Sequence, residues 1–403
     1  MKLIDRTKYS DKVLNYLGQG DILVLVGQRR VGKSCVLSCV KQRLEDGNPD
    51  ANVIYISKEW AEFDFIKTYA DLNDYVERHL EVDRQNYLFI DECQDIEGFE
   101  KTLRSLQAKH QCEIVITGSN ANMLSSELST LLSGRYIEIH IHSLNYAEFL
   151  LFHELTDSDE ALYQYLSYGG LPHLAFIGLD NRQMVMDYLR DIYNTVMMKD
   201  VVSREKIRNV RFLNDLARFI SDNTGKNISA TSISKYMRGQ QQEVSTALII
   251  NYLRYFCNAY LIDITPRFDI RGKKLFDTNE KYYFEDLGIR NVLVGVNLRL
   301  YIEKLIENVV YLKLVECGFS VTVGQLQQTE IDFVARRGDK YLYVQATYLL
   351  ATEEVMKREF GNLKLIGDNY TKMVVSMDPL AGRGDQEGIR NVHLRDFLLC
   401  QDL

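Results

Sequence analysis

Ile22-Leu23-Val24-Leu25-Val26-Gly27-Gln28-Arg29-Arg30-Val31-Gly32-Lys33-Ser34 is the stretch from which the fold of this chain is read. The apolar run Ile22–Val26 is what a strand buried on both faces of a sheet looks like. It leads into G-x-x-x-x-G-K-S, and the helix-like segment Cys35–Leu44 follows. Buried strand, glycine-bounded loop and helix in that order make the phosphate-loop pattern. Phosphate oxygens need a concave set of backbone N–H groups, and glycine lets the backbone come close. The helix begins at the loop, so its positive dipole end faces the anion. Lys33 is expected to neutralise the β- and γ-phosphates of ATP, and the Ser34 hydroxyl to ligate Mg²⁺. The expected binding set is therefore Gly27, Gln28, Arg29, Arg30, Val31, Gly32, Lys33 and Ser34, with Cys35 behind them.

Working outward, Asn52–Ile56, Tyr87–Ile90, Glu113–Thr117 and Ile137–Ile141 read as further strands, and Phe63–Leu80 and Phe99–Ala108 as helices. Apolar strands alternating with helices predict a parallel sheet covered on both faces. Tyr87-Leu88-Phe89-Ile90 runs into Asp91-Glu92, the place for a Walker B pair. A carboxylate there can hold Mg²⁺, largely through water, and its neighbour can activate the attacking water. Asp91 is assigned to the metal and Glu92 to the base; the plainer alternative is an acidic pair at a helix start. Thr117-Gly118-Ser119-Asn120 ends the next strand. Asn120 or Ser119 there would sense the γ-phosphate, and the sequence does not separate the two from each other or from simple turn chemistry. Arg135, in Ser133-Gly134-Arg135-Tyr136, is the first candidate for an arginine finger, with Arg29 and Arg30 as rivals and a salt bridge as the alternative.

Composition narrows the class. At 403 residues the chain has room for two or three domains. Its 46% hydrophobic and 26% charged residues are those of an ordinary globular protein. A net charge of -8 argues against wholesale coating of nucleic acid, while leaving room for one basic face. The seven cysteines form no C-x-x-C pair and read as small buried hydrophobes in a reducing compartment. The N-terminus has no signal-peptide core, and no uncharged run approaches a membrane span. A cytoplasmic protein without membrane contact is expected.

Past Ser143 the pattern turns helical. Tyr146–Glu154, Asp159–Tyr168 and Met184–Met198 read as a helical lid, broken at Gly169-Gly170-Leu171-Pro172. Val210–Ile264 reads as helix, turn, helix, and the hairpin Arg267–Phe284 then completes the order of a winged helix. Its reading helix, Ser245–Ala259, carries Arg254 as its only basic residue, so base readout is weakly supported. Lys235, Arg238, Arg267, Arg271, Lys273 and Lys274 could meet phosphates, as could Arg204, Lys206, Arg208 and Arg211. Leu300–Glu316 is an amphipathic helix, and Phe319–Val323, Ile331–Ala335 and Tyr341–Ala346 are strands. The expected domains are an ATPase domain (1–145), a helical lid (146–209), a winged helix (210–290) and a C-terminal domain (291–403).

Gly27-Gln28-Arg29-Arg30-Val31-Gly32-Lys33-Ser34, Ile90-Asp91-Glu92-Cys93-Gln94, Thr117-Gly118-Ser119-Asn120, Leu132-Ser133-Gly134-Arg135-Tyr136 and Tyr168-Gly169-Gly170-Leu171-Pro172 together resemble a prokaryotic family of AAA-type ATPases, close to the archaeal-type ATPases and the signal-transducing NTPases. Lys281–Gly288 and the helix bearing Glu307-Asn308 resemble the family's C-terminal part. The resemblance implies ATP binding and hydrolysis, and an α/β fold: a P-loop parallel sheet with a helical lid, then a winged helix and a restriction-endonuclease-like domain. In that last fold an acidic helix residue, an Asp after a hairpin and Glu-x-Lys on the next strand gather Mg²⁺. The matching positions are Glu307, Asp332, Gln345 and Thr347. Gln345 is neutral and Thr347 carries no ammonium, so an inactive nuclease-like domain is expected. The leading expectation is an ATP-driven conformational switch controlling a protein or DNA interaction. The alternative is a DNA-binding regulator or nuclease-like defence module in which ATP gates assembly. A finger acting in trans would require a homo-oligomer.

Overall fold

The computed structural model describes residues 4–119, 134–275, 279–379 and 384–403. The chain divides into two compact units, Met1–His142 with Asn258–Tyr260, and Ser143–Cys257 with Leu261–Leu403.

In the first unit α1 (Thr7–Tyr16) precedes β1 (Ile22–Val26), α2 (Lys33–Gly47), β2 (Asn52–Ser57), α3 (Tyr69–His79), β3 (Asn86–Asp91), α4 (Phe99–Ala108), β4 (Glu113–Gly118) and β5 (Tyr136–His140). The five strands are parallel, in the order β2-β3-β4-β1-β5. β1 and β3 are buried along their whole length, as their unbroken apolar sequences require. β4 lies between the phosphate-loop strand and the Asp91 strand. The helix expected over Phe63–Leu80 is shorter, because Thr68 and Asp71 form a reciprocal capping box that starts α3 at Tyr69. The residues before it make a loop held from inside, with the Lys58 ammonium donating to the carbonyls of Phe63 (2.6 Å) and Ile66 (2.8 Å).

The second unit begins with α5 (Tyr146–Phe152), α6 (Asp159–Tyr168), α7 (Leu174–Ile177) and α8 (Arg182–Thr195), and a π-helical run, Val196–Ser203, continues α8. α9 (Val210–Asp222), α10 (Ala230–Gly239) and α11 (Thr246–Asn258) follow in helix-turn-helix order. β6 (Ile262–Thr265) pairs antiparallel with β9 (Lys281–Phe284), but between them β7 (Arg267–Asp269) and β8 (Lys274–Leu275) leave that ribbon and extend a seven-stranded sheet. The rest of that sheet is β10 (Ser320–Leu326), β11 (Thr329–Arg337), β12 (Lys340–Thr347), β13 (Thr371–Ser376) and β14 (Ile389–His393). α12 (Leu287–Val294) and α13 (Leu298–Glu316) precede β10, α14 (Glu353–Lys364) follows β12, and α15 (Leu394–Leu399) ends the unit. Period-two alternation sorts the sheet's side chains. Phe333, Ala335, Leu342, Val344, Met373 and Val375 join one core with α13, whereas Val334, Tyr343 and Val374 join Phe360 and Leu363 of α14 in another.

The boundary expected at 145 lies close to His142, where the first unit ends. Those expected at 209 and 290 fall inside the second unit. The helices read as a lid explain why: Tyr146, Phe149, Leu162, Tyr165 and Leu166 of α5 and α6 are in the same core as Leu305, Ile306 and Val309 of α13.

Candidate functional site

The phosphate loop is tightly built. Ile141 donates its N–H to the Val26 carbonyl (2.8 Å), so the chain after β5 runs close beside the loop. Gly27 has φ +142°, and a Cβ there would lie 2.2 Å from the Ile141 carbonyl oxygen, so only glycine fits. Gly32, in the left-handed region at φ +99°, starts α2 without a side-chain cap. The buried Lys33 ammonium donates to the carbonyls of Gly27 (2.9 Å) and Gln28 (3.0 Å). Gln28 is 1% exposed, and among the described residues neither end of its amide has a hydrogen-bond partner. A buried unsatisfied amide costs about 1–3 kcal/mol, so this one is suited to a polar group entering the loop.

Strand register assembles the rest. Val26 is level with Gly118, Ile90 with Ile116, and Ser57 with Asp91, so the C-terminal ends of β1 to β4 converge. Asp91 Oδ1 accepts from the hydroxyls of Ser34 (2.9 Å) and Thr117 (2.7 Å), and Oδ2 accepts from Ser57 (3.3 Å). Burial pushes the Asp91 carboxyl above its ordinary value, against the lowering effect of the Thr117 and Ser34 hydroxyls. Thr117 Oγ1 also accepts the Glu92 backbone N–H (2.9 Å), and Glu92 sits in the left-handed region at φ +56°. The Glu92 carboxylate accepts from the Gln94 amide. Ser34 and Asp91 thus offer two hard oxygen donors at one point, a set that suits Mg²⁺ completed by water.

Two further residues stand out. Arg6, which the sequence reading passed over, is 5% exposed and donates from Nη1 to the carbonyls of Val31 (3.1 Å) and His142 (2.8 Å), tying the loop to the chain after β5. Thr117 was expected only to lead into the sensor, yet its hydroxyl binds both Asp91 and the Glu92 backbone. Ser119 is fully buried and accepts from Arg29 Nη2 at 3.5 Å, while Asn120 lies outside the described residues. Arg30 and Cys35 are exposed on the loop and on α2.

Arg135 requires a correction. Tyr136 is level with Ile22, at the start of β1, and the Arg135 carbonyl accepts from Ile22 N–H (3.2 Å) and Gln107 Nε2 (2.9 Å). The loop leaves the other end of β1, a strand length of about 15 Å away at roughly 3.3 Å per residue. Arg135 is therefore not a finger for its own chain's loop.

An AAA-domain family matches residues 19–150, and a domain of unknown function, DUF8612, matches residues 159–299. An uncharacterized protein of Haemophilus influenzae is 32% identical over 403 residues, covering 98% of this chain and 99% of that one. The chain belongs to the family of that protein. An uncharacterized protein of Methanocaldococcus jannaschii, MJ1544, is 28% identical over 345 residues, 82% of this chain and 75% of that one. Among solved structures, a Walker-type ATPase of Pyrococcus abyssi aligns with a TM-score of 0.52 at 16% identity, over 72% of this chain and 95% of that one. The fold is that of a P-loop NTPase of AAA type with a mixed α/β domain after it.

Within this family member, the motifs beyond the AAA domain are joints of the second unit. Asp286 caps α12 through the Ile289 N–H (3.0 Å) and accepts the Gly170 N–H (2.8 Å). A Cβ on Gly169 would meet Asp286 Oδ1, and one on Gly170 would meet the Leu144 carbonyl oxygen at 2.2 Å, which explains the paired glycines. Asn308, fully buried, exchanges two hydrogen bonds of 2.8 Å with the backbone of Phe284. Its neighbour Glu307 belongs to a different cluster. The Lys281 ammonium, on a side chain 2% exposed, lies 2.7 Å from Glu307, 2.8 Å from Glu330 and 3.7 Å from Asp332. Tyr283 donates its hydroxyl to Glu307 (2.6 Å). Gln345 accepts the Asp332 N–H (2.7 Å) and donates to Glu359 (2.8 Å). The ammonium of this cluster thus comes from β9.

Proposed function

We propose that the protein binds ATP with Mg²⁺ at Gly27–Cys35 and hydrolyses it as a conformational switch. The observation that carries this reading is the chain of hydrogen bonds Ser34–Asp91–Thr117–Glu92 at the mouth of the phosphate loop. Lys33 would move from the loop carbonyls to the β- and γ-phosphates, so the ammonium is stored within reach of its target. Ser34 and Asp91 would hold Mg²⁺, which when bound neutralises developing phosphate charge. Glu92 would take the proton of the attacking water, its backbone fixed by Thr117. Arg29, beside Ser119, is the best-placed arginine for charge developing on the γ-phosphate.

The second unit is read as the output, contacting a protein or DNA. Its Glu307–Asp332 cluster is read as structural; what supports this is that Gln345 uses both amide ends on Asp332 and Glu359 while Lys281 lies against the carboxylates. The test is Glu92→Gln. ATP binding should persist while hydrolysis falls about 10²-fold or more, the usual worth of a general base. Hydrolysis at the parent rate would remove the assignment.

A further inference from the structure

A cleft of about 750 Å³ opens in the second unit between α9, α10 and the start of α13. That is within the size range of small-ligand sites. Arg211 and Arg218 line it from one face of α9, seven residues and about 10 Å apart along the helix. Among the described residues neither guanidinium is ion-paired. Beside them the rings of Phe219 and Tyr236 meet at 4.6 Å, and Tyr236 is 50% exposed. The cleft's two carboxylates are already engaged. Asp215 accepts from Gln242 Nε2 (2.8 Å), and Asp222 accepts from the Tyr301 hydroxyl (2.9 Å). Among the described residues the carbonyl end of Gln242, a residue lining the cleft, is buried and has no hydrogen-bond partner, so a polar group entering there could supply its missing donor. Behind Tyr301 stands Arg290, fully buried, its guanidinium 4.4 Å from the ring centre, which adds positive charge to that wall.

Uncommitted guanidiniums, a half-exposed aromatic ring and a lone acceptor together match one chemistry. We propose that this cleft binds a nucleotide unit, its phosphates on Arg211 and Arg218, its base stacked on Tyr236 and a base N–H on Gln242. The unit can come from a single strand of nucleic acid or from a free nucleotide. A duplex is excluded, because stacking on a side chain needs an unpaired base. α11, the helix placed to read a duplex, instead exposes Ile250 at 56% and sets its Arg254 on Asn251. The site is separate from the phosphate loop and stands whether or not the loop hydrolyses ATP.

Fluorescence anisotropy of a labelled oligothymidine of about twelve nucleotides, titrated with the full chain at about 50 mM salt, tests the proposal. A Lys33→Ala background removes any contribution of the phosphate loop. Binding should weaken about tenfold in Tyr236→Ala and persist in Tyr236→Phe, which separates stacking from misfolding. In Arg211→Ala/Arg218→Ala the slope of log K against log salt should shrink by about 1.4, at about 0.7 per phosphate on a single strand. Displacement of the oligonucleotide by free dTMP or ATP identifies the free nucleotide as the source, and resistance to both identifies the strand. The proposal is overturned if neither oligonucleotide nor free nucleotide binds, if both sets of variants bind like the parent, or if a duplex of equal length binds as well as the single strand.

Discussion

Replacing Lys281 by Met tests whether the second unit depends on its internal cation. The ammonium faces three carboxylates, but they do not count equally. Glu330 is 33% exposed and is screened by water, so its share is discounted. Glu307 and Asp332, at 16% and 17%, are nearly enclosed. Without Lys281 the hydrogen-bond donors left to them among the described residues are neutral, the Tyr283 hydroxyl on Glu307 and the Ala346 N–H on Asp332. Breaking a buried ion pair costs about 3–5 kcal/mol. For a unit of this size each kcal/mol lowers the melting midpoint by about 2–4 °C, so Lys281→Met should melt about 6–20 °C lower at pH 8. The pH dependence supplies the internal check. Burial pushes the Asp332 carboxyl up from 3.8 to about 7, with Lys281 holding it down. A carboxyl raised on folding adds stability below its unfolded pKa and loses it as pH rises through the folded value, between about 4 and 7 here. Removing the ammonium raises Asp332 further, so the variant should recover on acidification from pH 8 to pH 5.5, and by more than the parent. Circular-dichroism melts at the two pH values measure both effects. A midpoint within 2 °C of the parent at pH 8, or a deficit that does not narrow at pH 5.5, would refute the charge-balance argument.

Thr117→Val keeps the shape of the side chain but strips a donor from Asp91 and an acceptor from the Glu92 N–H. It should cost about 1–3 kcal/mol in stability of the first unit and lower the ATPase rate at least tenfold, read by melting and phosphate release. Gly27→Ala drives a methyl group to within 2.2 Å of the Ile141 oxygen, so nucleotide binding in a fluorescent-analogue titration should be lost; normal binding would mean the loop is not held against the chain after β5. Arg135→Ala should leave the ATPase rate of dilute protein within twofold, because Arg135 is exposed at the far end of β1; a hundredfold loss under dilution would contradict the strand register.

The P-loop half was legible because its sequence signals are local. A buried strand, its loop and its helix are contiguous, and the end of each parallel strand falls where the next motif begins. The position of Arg135 was implicit in the same reading. A residue preceding a parallel strand lies at the end of the sheet opposite to a loop that follows one, so the expected sheet already placed Arg135 away from the phosphates. Thr117 was quoted for its position and missed for its role, because only the register of β4 against β3 shows that its hydroxyl meets Asp91. The second half defeated local reading for a physical reason. β7 and β8 sit between two strands of one ribbon in sequence, yet complete a sheet whose next strand, β10, begins at Ser320. Lys281, from that same ribbon, brings an ammonium to Glu307 and Asp332. One signal was available in Lys281-Tyr282-Tyr283-Phe284, where a lysine opens a wholly buried strand. A lysine there must find carboxylates, since an unpaired buried charge is not tolerated, and Glu307 and Asp332 were already singled out, with Glu330 two residues before Asp332. A charge inside an apolar run therefore carries more information about tertiary structure than the spacing of a motif borrowed from a resemblance.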